Sequence, residues 1–143
     1  MKGLVCLAAA ITLVAAPSAL AHETSYESDV EIVDVCTIPC LLKSAQRGST
    51  TDVFVAGVVG SENDKCVAGR KVKVFAVSDL PEKRGGSGTK TLVDVATTSK
   101  GGGWGARGDF TGAEGVQAKV TKKNIGSNGH RHICEADTDL VLP

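Results

Sequence analysis

The chain has 143 residues, with 16 Lys or Arg against 16 Asp or Glu, a near-neutral balance that argues against a nucleic-acid footprint or a polybasic membrane patch. At this length a single domain is the natural expectation. Aromatic residues make up only 3%, so the core must be built from aliphatic side chains.

Residues 1–21 read as a secretory signal peptide. Lys2 supplies the positive start, an apolar run over 4–16 is interrupted only by Thr12, Pro17 breaks it, and Ser18-Ala19-Leu20-Ala21 presents small residues where signal peptidase needs them. The run falls short of the roughly 18 to 20 residues that span a membrane. Cleavage after Ala21 predicts a mature chain that starts at His22, and Cys6 leaves with the peptide. The remaining 122 residues carry 15 basic and 16 acidic side chains, and no second apolar segment approaches a membrane span. They are expected to form one domain, residues 22–143, behind a flexible tail at 22–28.

From there short alternating runs dominate, separated by glycine, serine and charged residues, the signature of strands and turns. Val30 and Ile32, with Asp34, alternate against Glu31, Val33 and Val35. Over 52–60, Val53, Val55 and Val59 alternate with Phe54 and Val58. The cleanest run is 71–77, where Val72, Val74 and Ala76 face one side and Lys71, Lys73, Phe75 and Val77 the other, so that the lysines stay in water. A run at 92–98 places Val93 and Val95 together. Residues 115–121 and 139–142 supply two more strands, for six or seven in all.

Between these, 84–89 is a glycine loop, Gly101-Gly102-Gly103 a tight turn that folds Trp104 back onto a sheet, and 124–132 a polar loop turning at Asn128-Gly129. Residues 40–46 are the best helical stretch and are too short to stand alone. The pattern predicts an all-β fold: an antiparallel Greek-key β-sandwich of about seven strands.

Four cysteines remain after cleavage, Cys36, Cys40, Cys66 and Cys134, and an even number in an exported chain reads as disulfides. Three pairings are open. Cys36 with Cys40 and Cys66 with Cys134 is the preferred one, since the first two are local neighbours and the others flank the expected core.

The stretch Lys65-Cys66-Val67-Ala68-Gly69-Arg70-Lys71-Val72-Lys73-Val74, the turn leading into Trp104, the strand Gly115-Val116-Gln117-Ala118-Lys119-Val120 and Cys134 before a last strand form a pattern. Over residues 51–143 it resembles small secreted bacterial β-sandwich domains of the carboxypeptidase-regulatory-like or prealbumin-like type. The resemblance implies a seven-stranded Greek-key sandwich, a Cys66 to Cys134 bridge and no catalytic residues. Cys36, Cys40 and the two histidines of the 124–132 loop depart from that pattern.

Catalytic motifs are absent from the sequence: Gly86-Ser87-Gly88 lacks the flanks of a nucleophile elbow, and no Gly-Lys adjacency makes the same stretch a phosphate loop. Four binding readings follow from the residues. A histidine at a new amino terminus offers an amine and an imidazole nitrogen to Cu(II), and His130 or His132 would add a third nitrogen; the plainer reading of His22 is a frayed tail. A zinc site drawn from His130, His132 and Cys134 with Cys36 or Cys40 competes with disulfide formation in an oxidising compartment. Arg107-Gly108-Asp109 spells an integrin-recognition tripeptide, or marks a solvated strand edge. Trp104 with Phe110 would make a platform for a sugar ring, or the anchor of a core.

The expectation is therefore a secreted, extracellular, non-enzymatic structural or binding module without a cofactor, whose partner is an extracellular protein or carbohydrate. The alternative is a secreted copper-binding protein that uses His22.

Overall fold

A computed structural model describes residues 23–37, 52–80, 88–126 and 130–142. Residues 1–21, expected as a signal peptide, His22, Cys40, the stretch at 40–46 expected as the best helical candidate, most of the glycine loop and the expected turn at Asn128-Gly129 lie outside the described residues. Described residues are all-β, with strands β1 (Glu23–Tyr26), β2 (Ser28–Thr37), β3 (Val53–Ser61), β4 (Lys71–Ser78), β5 (Thr89–Thr97), β6 (Gly103–Gly108), β7 (Gly115–Val120), β8 (Lys123–Asn124), β9 (Arg131–Cys134) and β10 (Asp137–Val141). A single 3-10 turn, Asp64–Cys66, links β3 to β4.

The strands form three sheets. One has the order β2-β3-β6, another β10-β7-β4-β5, and a small one β1-β9-β8. Every pairing is antiparallel except β1 with β9. Alternation places Val53, Val55 and Val59 of β3, with Trp104 and Ala106 of β6, on the inner side of the three-stranded sheet. Val72 and Val74 of β4 and Val116, Ala118 and Val120 of β7 meet them from the four-stranded sheet, in one continuous cluster. Burying each valine stabilises by about 1.5–3 kcal/mol.

Three expectations from the sequence change here. Residues 23–28, expected as a flexible tail, form β1 and open β2; polar Glu-Thr-Ser-Tyr carries no hydrophobic alternation and is held by its ladder to β9. Trp104 follows the expected turn, in which Gly102 has a φ of 83°, but it then lies in a strand the alternation did not announce, β6, where the outward positions are Gly103, Gly105 and Arg107. Val93 and Val95 do not share a face: the ladder passes from Val74↔Asp94 to Phe75↔Leu92, leaving Val93 as a bulge that packs on the core while Val95 is 42% exposed. A second bulge leaves Val33 unpaired in β2 and 63% exposed.

Two seams where no ladder runs are closed by aspartates. Asp137 and Asp139 of β10 accept the backbone N–H groups of Val30 and Ile32 of β2, both at 2.8 Å. On the other side Asp94 of β5 accepts the N–H of Arg107 of β6 at 3.2 Å. Side-chain carboxylates thus satisfy edge-strand donors that would otherwise be open for pairing with another chain.

At one end of the sheets, Cys66 and Cys134 are joined by a disulfide with Cα atoms 5.3 Å apart, and both are fully buried. The bridge closes 68 residues and constrains the unfolded chain by about 4 kcal/mol in the chain-entropy account. Beside it lies Arg70, 1% exposed. Its Nη1 donates to Ser28 Oγ at 2.8 Å and to the Cys66 carbonyl at 2.7 Å. Nη2 donates to the Thr121 and Glu135 carbonyls, both at 2.7 Å, and Nε to Thr121 at 3.2 Å. All five donors of the guanidinium are therefore used, without a carboxylate partner. Burial lowers the pKa of Arg70 from its ordinary value.

Candidate functional site

The parallel ladder between β1 and β9 holds two of the residues singled out in the sequence, His132 and Cys134. Its register pairs Glu23 with Arg131, Thr24 with His132 and Tyr26 with Cys134. Tyr26 and His132 stack with ring centroids 5.9 Å apart, and the Tyr26 hydroxyl lies 3.4 Å from His132 Nδ1. Arg131 pairs with Glu23 at 3.7 Å. His130, just before β9, is exposed. His130 and His132, which stand near one another in sequence, are thus divided between solvent and a tyrosine face, and His22 lies outside the described residues. Among the described residues no group of three or more His, Cys, Asp or Glu is arranged to hold a metal ion.

Glu135, immediately after the bridged Cys134, lies at the edge of this small sheet. Lys122 approaches it at 3.1 Å. Hydrogen bonding from Lys122 first, and from Ser25 second, holds its carboxyl below the usual carboxylate range.

Of the cysteines, Cys66 and Cys134 form the expected bridge. That pairing removes Cys134 as a thiolate ligand for zinc. Cys36 sits in β2 opposite Phe54; its expected partner Cys40 lies outside the described residues.

The Arg-Gly-Asp tripeptide is not displayed at a loop tip. Arg107 and Gly108 belong to β6, the Arg107 side chain meets Asp52 at 3.5 Å, and its N–H is held by Asp94. Asp109 Oδ1 accepts the N–H of Thr111 at 2.8 Å, and hydrogen bonding from Thr111 lowers its pKa. Asp109 and Thr111 line an open cleft of about 420 Å³ with Ser78, Thr91, Leu92 and Val93. A second open cleft, of about 500 Å³, is acidic, lined by Glu27, Asp29, Glu62 and Asp137 with Ser28 and Ser61.

Trp104 and Phe110 are each 5% exposed, so both rings are core groups and the sugar platform is not formed. Trp104 lies against Gly57: a Cβ there would stand 2.5 Å from Cζ2 and would also collide with the Glu31 carbonyl. Its indole Nε1 has no hydrogen-bond partner among the described residues.

Three features were missed from sequence: the Asp137, Asp139 and Asp94 seams, the Arg70 knot, and the Tyr26 to His132 stack. The alternation Asp137-Thr138-Asp139 was the available signal for the first, since two acids at i and i+2 share one side of a strand. No family model, curated protein or solved structure matches this chain.

Proposed function

We propose that the chain is a secreted, non-enzymatic structural or binding module, an antiparallel Greek-key β-sandwich that begins after removal of residues 1–21. The buried Cys66–Cys134 bridge carries this reading, because a cystine enclosed in the fold belongs to an oxidising, extracytoplasmic compartment. The strand order supports the architecture. β2 pairs with β3 and β4 with β5, while β6 returns to β3 and β7 to β4, so the chain crosses between two sheets that share one core. This is the seven-strand arrangement of immunoglobulin-type domains with the fourth strand moved to the other sheet. The resemblance to carboxypeptidase-regulatory-like and prealbumin-like domains enters this reading at the level of architecture. The partner is an extracellular protein or a carbohydrate.

Native mass spectrometry of the protein secreted by its own host, before and after reduction, tests the reading. A mature mass starting at His22, rising by two hydrogens for each bridge reduced, is the expected result. Retention of residues 1–21 on a reduced, intracellular chain would overturn it.

A second reading, copper binding, is favoured by one observation. The parallel register pairs Glu23 with Arg131, and the residues that immediately precede these two in sequence are His22 and His130. A terminal His22 amine and imidazole with His130 Nδ1 or Nε2 would suit Cu(II). Calorimetry with Cu(II) on the mature chain should give a one-site isotherm that disappears when one residue is added before His22; identical heats for both chains would remove this reading.

A further inference from the structure

The two large sheets turn oppositely charged outer faces to solvent. On the four-stranded sheet, Lys71 and Lys73 of β4 and Lys119 of β7 are exposed, and Lys73 stands directly opposite Lys119 in the ladder. Lys90 of β5 is registered with Val77 on the same side. Like charges placed opposite one another across a ladder are destabilising. None of these lysines forms an ion pair with a described residue, and the strand residues sharing this face include no carboxylate. Beside them runs a row across all four strands, Leu92, Phe75, Gln117 and Leu140, apolar except for the buried Gln117, in which Leu92 is 51% and Leu140 41% exposed.

The three-stranded sheet presents the converse. Asp29, Glu31 and Asp34 of β2 are exposed and registered with Gly60, Val58 and Ala56, the outward positions of β3. They too lack a cationic partner among the described residues, and the one cation at an outward position of this sheet's strands, Arg107, is paired with Asp52. Glu27 and Glu62 continue the acidic surface round the neighbouring cleft. Next to the acids lie Phe54, Ala56 and Val58, the last 41% exposed, and Phe54 lies against Gly105 of β6, where a Cβ would stand 2.9 Å from its ring. Each face thus has a charged column beside an apolar one, and the signs are opposite.

We propose that the lysine face of one copy docks on the acidic face of the next, joining copies of this chain head to tail. The charge complementarity is internal to the molecule: 15 basic and 16 acidic residues after residue 21 nearly cancel overall, yet the strands segregate them onto opposite sides of one core. Contact would neutralise the Lys73 to Lys119 repulsion and cover both apolar columns. Because the two faces look away from each other, the contact is heterologous and does not close on a dimer. Its strength falls with ionic strength, as for any contact steered by exposed charges.

Sedimentation velocity on the mature secreted chain tests this with two neutralised variants, Lys73→Gln with Lys119→Gln, and Glu31→Gln with Asp34→Asn. All four positions are exposed, and a circular dichroism melt of each variant establishes that it is folded. The wild type is expected to grow with concentration beyond dimer at low salt and to return to monomer at high salt. Each variant alone should remain monomeric, because each lacks one of the two faces. Their equimolar mixture should form a 1:1 dimer that grows no further, since each variant retains the face the other has lost. Variants that still self-associate, or a mixture that stays monomeric, would overturn the proposal. A wild type that is monomeric at every concentration but binds soluble polyphosphate through the lysine face would equally overturn it, in favour of an acidic polymer as the occupant.

Discussion

The carboxylate of Asp139 accepts the backbone N–H of Ile32 at 2.8 Å, across a line where no strand ladder runs. Asp137 does the same for Val30 two residues earlier, so consecutive free donors on the edge of β2 meet consecutive acids on β10. Loss of both acids, in an Asp137→Ala, Asp139→Ala variant, removes two charge-assisted hydrogen bonds of about 1.5–3 kcal/mol each. Urea unfolding should show a drop of about 3 kcal/mol or more. Light scattering should rise with time, because the bared edge of β2 becomes a template for intermolecular pairing. Unchanged stability and scattering would mean that water serves these donors equally well.

Arg70 and the disulfide act as one unit, since the guanidinium holds the carbonyls of Cys66 and of Glu135, the residue after Cys134. Arg70→Met leaves buried carbonyls unsatisfied, at about 1–3 kcal/mol for each group, and should lower stability by about 3 kcal/mol or more. Its cost measured again in a Cys66→Ala, Cys134→Ala background should be smaller, because the loop ends it fixes are then free; equal costs in both backgrounds would show the two to be independent.

Gly57 has no room for a methyl group, with the Glu31 carbonyl and the Trp104 ring in the way. Gly57→Ala should therefore destabilise by about 1–3 kcal/mol, and the fluorescence of the only tryptophan should shift to longer wavelength as the indole is pushed from its site. In the wild type, emission should be blue-shifted and iodide quenching weak. Strong quenching of the native protein would contradict the burial of Trp104.

The depressed pKa of Glu135 gives a direction to acid unfolding. A carboxyl held below its unfolded value contributes stability that is present above the unfolded pKa, about 4.3 for glutamate, and lost as pH falls through the folded one. The melting temperature should fall on acidification below that point, and less steeply in Glu135→Gln. Parallel curves for the two proteins would remove the Lys122 contact as a contributor.

The alternation of valines was enough to find β2, β3 and β4, because those strands bury one face and largely wet the other; β7 was found by the same alternation although only its Lys119 is exposed. β6 escaped since glycines fill its outward positions, and alternation between glycine and a core residue reads as a turn. β1 escaped since a polar strand is held by ladder bonds that no hydrophobic period announces. The bulges at Val33 and Val93 reverse which valines face inward, and a register change depends on the partner strand and not on the strand itself. Arg70 looked like one more charge in a Gly-Arg-Lys stretch; its burial depends on the nearby Cys66 carbonyl together with those of Thr121 and Glu135, from two distant parts of the chain. The pairing of Cys66 with Cys134 was legible, while the histidines near Cys134 pointed to a metal site and one of them instead stacks on the only tyrosine.

The first and last stretches of the described fold run side by side in the same direction, β1 along β9 and β2 along β10. Tension applied at Glu23 and Val141 would therefore load the ladder and both aspartate bonds together, in shear, instead of peeling them one at a time. The cystine would then act as a stop: with 68 residues behind it, roughly 230 Å of contour cannot be paid out until sulfur is reduced. Pulling experiments with and without reductant should differ by about that length.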